Sequence, residues 1–224
     1  MPTDLLGREY ETFRAPDALT THGPARIIAM CNQKGGVGKT TSSINIAGAL
    51  SQYGRRVLIV DFDPQGAATV GLGINANALD NTVYTALFDS SVDVHDVIII
   101  DCQPSLGLLT VNALTAADGV IIPVAAEFFA LRGVALLMQS IEKVQHRINP
   151  DLQVFGVLVT MFTRTLHSEE VLQRIYEAFQ GRVLHSVISR SIKLPDSTVA
   201  AVPITIFAPE HKTCLLYTSD AADE

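Results

Sequence analysis

Tryptophan is absent from these 224 residues, cysteine occurs three times and aromatic residues make up only 6%. Three isolated thiols, Cys31, Cys102 and Cys214, exclude a disulfide-stapled scaffold and offer no close metal-ligand pair. Cys31 and Cys102 read as small buried residues, with a reactive or redox role as the alternative. No apolar run approaches the roughly 20 residues of a membrane span, and Met1 to Thr21 is too polar for a secretory signal, so the chain is expected to stay in the cytoplasm. Charge is scarce as well: 17% of residues are charged, with a formal net charge of -7. That balance excludes a strongly basic nucleic-acid binder and leaves DNA binding only to a local basic patch. Apolar residues are plentiful, at 48%, enough at this length for one large α/β domain with a substantial core.

One stretch organises the rest. Cys31-Asn32-Gln33-Lys34-Gly35-Gly36-Val37-Gly38-Lys39-Thr40-Thr41 sets three glycines, two lysines and two hydroxyls between an apolar run and a helical pattern. Glycines let backbone N–H groups turn inward onto phosphate oxygens, and the helix that follows adds the positive end of its dipole. Lys39 is placed to neutralise β- and γ-phosphate charge, and the Thr40 hydroxyl to complete a Mg²⁺ shell. The ordinary pattern G-x-x-x-x-G-K-[ST] needs glycine at position 33, where this chain has Gln33; it carries instead a second lysine, Lys34, at the mouth of the loop.

This variant resembles the deviant Walker A family of ATPases, which includes the ParA/Soj partition proteins, MinD and the nitrogenase iron protein. The resemblance implies a P-loop NTPase fold of the α/β class, a mostly parallel twisted sheet with helices on both faces. It implies ATP and Mg²⁺ as cofactors and Lys34, Gly35, Gly36, Val37, Gly38, Lys39, Thr40 and Thr41 as the nucleotide-binding loop. It further implies that Lys34 reaches across a homodimer, with ATP sandwiched between the copies, to the partner's phosphates.

Along the chain, Met1 to Pro24 lacks a sustained period and is expected to be a mobile leader, with the domain proper over 26–213. Arg26 to Cys31 reads as a strand, and Thr40 to Gln52 as a helix with Ile44, Ala47 and Leu50 on one face and Gly54 as its stop. Val57 to Val60 is uniformly apolar, as in a parallel strand covered on both faces, and delivers Asp61 and Asp63 to its C-terminal end, the edge where α/β sheets bind ligands. Asp61-Phe62-Asp63-Pro64-Gln65-Gly66 resembles the family's second motif, which gives Asp63 the positioning of the attacking water. Val97 to Ile100 is the next buried strand, and Asp101 at its end occupies the place of a Walker B acid that holds Mg²⁺ with Thr40. Leu106 to Asp118, LGLLTVNALTAAD, resembles ParA/Soj members in particular.

Val120 to Val124 and Val154 to Val159 read as further strands. Between them Leu131, Val134, Leu137, Ile141, Val144 and Ile148 trace one helical face, closed by Asn149-Pro150. Ser168 looks like a helix N-cap, with Glu169 and Glu170 in the first turn, Val171, Leu172, Ile175 and Phe179 facing inward, and Gly181 as the stop. Val183 to Ile188 and Ile204 to Phe207 read as two late strands. In the family the loop after the first of these lies near the nucleotide base, and basic residues of this region contact DNA. Arg190 and Lys193 are the candidates for either task, beside the plain reading that they are solvated surface charges. His167 and His185 read as ordinary surface or boundary residues.

Two places depart from the family. The tail Cys214 to Glu224 shows no helical face and reads like a translated library adapter, so native coding sequence is expected to end near Thr213, short of the C-terminal helix that the family would add. Between Asp63 and Asp101 the chain is shorter than in the family, and a strand and helix are expected to be missing near residues 95–98, where Val92-Asp93-Val94-His95-Asp96 runs directly into Val97-Ile98-Ile99-Ile100.

The expectation is therefore a ParA/Soj-like partition ATPase of chromosome or plasmid. ATP drives dimerisation, the dimer binds DNA non-specifically on the nucleoid, and weak hydrolysis stimulated by a ParB-like partner releases it. No membrane partner is expected. The rival readings are a MinD-like membrane-cycling ATPase, a nitrogenase-like branch for which the cysteines are too isolated, and a truncated nucleotide-binding protein without turnover.

Overall fold

The structure, a computed structural model, describes residues 23–75, 95–127, 130–214 and 216–217, together with residues 5, 7, 9, 19 and 78. Most of the leader, most of the shortened link and the last seven residues lie outside the described residues.

Six strands form one sheet: β1 (Arg26–Met30), β2 (Val57–Phe62), β3 (Val97–Cys102), β4 (Gly119–Ala125), β5 (Gln153–Phe162) and β6 (Val183–Ser189). Their order is β2-β3-β1-β4-β5-β6, and every pairing is parallel. A parallel sheet is covered on both faces, which is why β3 and β4 are nearly continuous runs of buried apolar residues. β2 ends the sheet and is only half-buried along its whole length.

Successive strand residues point to opposite faces and divide the interior into two cores. β1 sends Ala29 and Cys31 to one and Ile28 and Met30 to the other. The first core is closed by α3 (Leu108–Ala116), α4 (Ala130–Arg147) and α5 (Leu166–Ala178), through Leu114, Val134, Leu137, Ile141, Val144, Val171, Leu172 and Ile175. The second is closed by α1 (Lys39–Gln52) and by α7 (Ile204–Phe207), with α2 (Ala67–Gly71) and α6 (Lys193–Val199) beside them. Gly54, at φ +76°, closes α1 as expected, and Gly181, at φ +70°, follows α5.

Three local readings are corrected. Ile204 to Phe207 is a one-turn helix, not a strand. Pro203 precedes it in extended geometry, and the Ile204 N–H donates to Asn45 Oδ1 of α1 at 2.6 Å, which fixes the helix start by a tertiary bond. Gly48 makes this seat possible, since a Cβ there would come within 2.7 Å of the Pro203 ring. The cap of α5 is Thr165, whose hydroxyl accepts from the Ser168 N–H at 3.3 Å; Ser168 lies inside the helix, buried. Ile148 stands 53% exposed just past the end of α4, outside its inward face. Near the chain end, Cys214 and Tyr217 are buried in the second core, and the Tyr217 hydroxyl lies 3.3 Å from Ser42 Oγ.

Candidate functional site

The three central strands β3, β1 and β4 end side by side, and the loop between β1 and α1 turns over them. Gly36 and Gly38 adopt φ +71° and +85°, the left-handed region that an L side chain resists, so the fold of the loop depends on glycine at both positions. Side chains hold the loop from both flanks. Asn32 Nδ2 donates to the Pro123 carbonyl at 2.7 Å, and Asn32 Oδ1 accepts from the Lys34 N–H at 3.0 Å. On the other flank Thr160 Oγ1 donates to the Val37 carbonyl at 2.8 Å. Met161, the next residue, takes a left-handed φ of +54°, a backbone conformation costly for a side chain of this kind.

Lys39 is buried, and its Nζ donates to the Lys34 carbonyl at 3.0 Å, so the ammonium is folded back under the loop it follows. Burial pulls it below the usual lysine range, while Asp101 and then Asp63 push it back. Asp101, fully buried, accepts from Thr40 Oγ1 at 2.6 Å and from Ser43 Oγ at 2.9 Å. Burial raises its carboxyl to about 6, against the opposing effect of those two hydroxyl donors.

The two acids after β2 have different surroundings. Asp61 Oδ2 accepts from the N–H and hydroxyl of Thr69, at 2.8 and 2.6 Å, which ties it to α2. Asp63 Oδ1 accepts from the Gln65 N–H at 3.0 Å in the turn, and Asp63 is half-buried. At the mouth of the loop Lys34 Nζ pairs with Glu127 Oε2 at 2.6 Å, with 40% and 50% of the two side chains exposed. Gly35 and Gly36 are exposed above the loop, and Thr41 is half-buried.

Arg190 is exposed at the end of β6, where its N–H donates to the Phe162 carbonyl at 2.9 Å. Together with Gly38, Thr41, Thr160, Leu194 and Tyr217 it lines a cavity of about 220 Å³ beside the loop. Lys193 opens α6 and lies over the Phe207 ring, 5.7 Å from Nζ to the centroid. The structure thus bonds Thr40 and Ser43 to Asp101, folds Lys39 back onto the Lys34 carbonyl, sets the Lys34 ammonium at the rim, and leaves Lys193 out of the cavity lining.

Sequence reasoning passed over Ser43, Asn32, Thr160 and Glu127. Ser43 follows Thr40 by three residues on a helix, a spacing that puts both hydroxyls on one side, so it was within reach of the pattern. Asn32, Thr160 and Glu127 act through contacts 91 to 123 residues distant in sequence, which no local spacing reveals.

The donor set suits an anion with a hard cation. A buried ammonium, two left-handed glycines and a helix start favour phosphate, while a hydroxyl paired with a buried carboxylate is an all-oxygen set suited to Mg²⁺.

Comparison with known proteins agrees. An uncharacterised protein of Mycobacterium tuberculosis is 42% identical over 262 residues, covering 95% of this chain and 82% of that protein. The sporulation initiation inhibitor protein Soj of Bacillus subtilis is 37% identical over 240 residues, covering 86% of this chain and 95% of Soj. Both alignments are longer than the 224-residue chain, so these relatives hold residues inside the matched span that this chain lacks. Among solved structures, cobyrinic acid a,c-diamide synthase from Mycobacterium smegmatis, with bound ATP analogue and magnesium, superposes with a TM-score of 0.74 at 33% identity, over 89% of this chain and 93% of that one. The family described as the CobQ/CobB/MinD/ParA nucleotide binding domain matches residues 28–204, and the chain belongs to it.

Proposed function

We propose that the chain is a ParA/Soj-type partition ATPase, acting on chromosome or plasmid DNA in the bacterial cytoplasm. The observation that carries this reading is the buried Lys39, folded back onto the Lys34 carbonyl, beside the bonded pair of Thr40 and Asp101, beneath a loop that has a second lysine, Lys34, at its rim. The 37% identity to Soj over 95% of that protein's length supports it.

In this reading Lys39 and the loop N–H groups bind the triphosphate, and Thr40 and Asp101 hold Mg²⁺, directly or through water. The cation supplies neutralisation of phosphate charge. Asp63, half-buried beside the loop, orients the attacking water. Lys34 leaves Glu127 and reaches the nucleotide of a second copy, adding positive charge where the transition state develops it. The cavity beside Gly38 and Thr41 receives the base, with Arg190 at its wall. Two copies close over ATP, bind DNA non-specifically with Arg190 and Lys193 as contributors, and separate after hydrolysis stimulated by a ParB-like protein. We assign the residues missing relative to Soj to the link between β2 and β3, toward the free edge of the sheet, where their loss leaves the phosphate site standing. The tail from Cys214 is, in this reading, adapter-derived sequence, of which Cys214 and Tyr217 pack in the second core. No helix among the described residues is long and apolar enough to cross a membrane.

The test is turnover of Lys39→Ala beside the parent chain, together with ATP-dependent retention on DNA. The reading predicts loss of ATP hydrolysis in the variant by at least about a hundredfold, the scale on which removing a transition-state charge partner acts. Parent-level hydrolysis by Lys39→Ala would overturn the site. Hydrolysis by the parent without retention on DNA would overturn the partition assignment and favour an ATP-using synthase such as the M. smegmatis protein is named for.

A further inference from the structure

Two thiols that the phosphate site does not use lie side by side beneath it. Cys31 follows β1 and begins the loop, while Cys102 ends β3 immediately after Asp101. The register sets Met30 opposite Asp101, which makes the next residues along these parallel strands neighbours as well, and the two Sγ atoms are 3.1 Å apart. Adjacent strands lie about 4.8 Å apart, inside the Cα separation of about 4.4–6.8 Å that a disulfide spans. Closing the bond to about 2.05 Å therefore requires an approach of only about 1 Å between the sulfurs. Cys214, by contrast, sits in the core on the opposite face of the sheet.

We propose that Cys31 and Cys102 form an oxidisable dithiol, a covalent modification site whose disulfide ties the first residue of the phosphate loop to the strand end that carries Asp101. The oxidant class is a hydroperoxide. One sulfur attacks a peroxide oxygen, the O–O bond breaks, and a sulfenic acid and one water result. The second sulfur then displaces the sulfenic oxygen as a second water, and the S–S bond forms. Two thiol protons and two electrons leave the protein, and hydrogen peroxide is reduced to two waters.

Access is what controls the reaction. Cys31 and Cys102 are 0% and 2% exposed, so a peroxide reaches them only when the loop opens. The loop is held down by separate side-chain bonds, those of Asn32, Gln33, Lys34, Lys39 and Thr160 among them, and Gly35 and Gly36 at its crest are exposed. Such a segment opens locally without global unfolding. A ligand that binds the closed loop suppresses the opening, so Mg-ATP shields the pair. Conversely, the cross-link draws together the strand ends bearing Asn32 and Asp101 and weakens Mg-ATP binding. This coupling rests on the nucleotide reading of the site; the cross-link itself does not.

The experiment exposes the reduced full chain to hydrogen peroxide under native conditions, with and without Mg-ATP, followed by intact mass and a non-reducing peptide map. The expected result is a loss of about 2 Da, the mass of two hydrogens, reversed by dithiothreitol. The map joins the Cys31 peptide to the Cys102 peptide. Cys214→Ala oxidises like the parent, and Cys102→Ala gives no internal cross-link. Saturating Mg-ATP slows the reaction several-fold, and the cross-linked chain binds Mg-ATP about 5- to 150-fold more weakly, the usual span of coupling between sites. Absence of the cross-link under native conditions, or a cross-link through Cys214, overturns the proposal. Equal rates with and without Mg-ATP, in a reduced chain that binds ATP, overturn the gating. A reduced chain that binds no ATP counts against the nucleotide reading instead, and the peptide map still decides the dithiol.

Discussion

Asp101 on the floor of the phosphate loop and Glu127 at its rim each receive a donor at 2.6 Å, yet the two carboxyls shift in opposite directions. Asp101, with no exposed surface and two neutral hydroxyl partners, is pushed up to about 6. Glu127, half in solvent and bonded to the Lys34 ammonium, is held below the usual carboxylate range. Bond length does not separate them; desolvation and the charge of the partner do. The floor thus carries a desolvation cost on its carboxylate that a bound cation would offset, while the rim is an ordinary screened ion pair.

Asp101→Asn is the most severe test of that contrast. Because the folded carboxyl titrates near 6 against 3.8 when free, the native state binds more protons than the unfolded chain between those values. The associated stability is present below pH 3.8 and is lost as pH rises through about 6. At neutral pH the charged form therefore costs on the order of 3 kcal/mol, and an amide of the same shape removes that cost. The expected outcome is a variant more stable than the parent in urea at pH 7, with the gain fading below about pH 5, and with Mg-dependent ATP binding lost. In the parent, Mg-ATP affinity rises with pH through about 6, as the carboxylate ionises. A destabilised Asp101→Asn chain would show that the floor is not strained.

Thr160→Val cuts one of the anchors that hold the phosphate loop, leaving the Val37 carbonyl without the Thr160 hydroxyl. Loss of a buried hydrogen bond of this kind costs about 1–3 kcal/mol. Thermal unfolding should register that loss, and ATP affinity should fall with it, since the loop is the element released. Unchanged affinity would mean that Val37 is held by the glycine turns alone.

The same contrast governs how much was legible beforehand. The strand–loop–helix order, Lys39, Thr40 and Asp101 follow from local chemistry, because phosphate binding demands a particular spacing of glycine, lysine and hydroxyl and a buried strand that ends in an acid. Helix α4 was legible because its apolar period is unbroken from Leu131 to Val144. What escaped depends on distant partners. Ile204 to Phe207 is β-branched and apolar enough to pass for a strand, and its helix start is fixed by a bond from the Ile204 N–H to Asn45, 159 residues away. Ser168 lost the capping role to Thr165 by one turn, since either hydroxyl precedes the same helical pattern. Tyr217 in the second core had no local signal at all, for an isolated aromatic in an aperiodic tail carries no information about what it packs against. Asn32, Thr160 and Glu127 complete the site from the loop after β1, from β5 and from the turn after β4, elements that only the sheet order brings together.

Glu127→Gln is the weakest perturbation and the sharpest control. It keeps the side-chain shape and a hydrogen-bond acceptor for Lys34 but removes the charge, and both partners stand about half in solvent. Exposed pairs of this type contribute about 0–1 kcal/mol, and salt screens them over a Debye length of about 3 Å at 1 M. Urea unfolding in low and high salt should therefore show a small difference between variant and parent that vanishes at high salt. A cost well above about 1 kcal/mol, or one insensitive to salt, would place the rim in the same low-dielectric setting as Asp101. The distinction drawn from two contacts of equal length would then fail, because screening would no longer separate them.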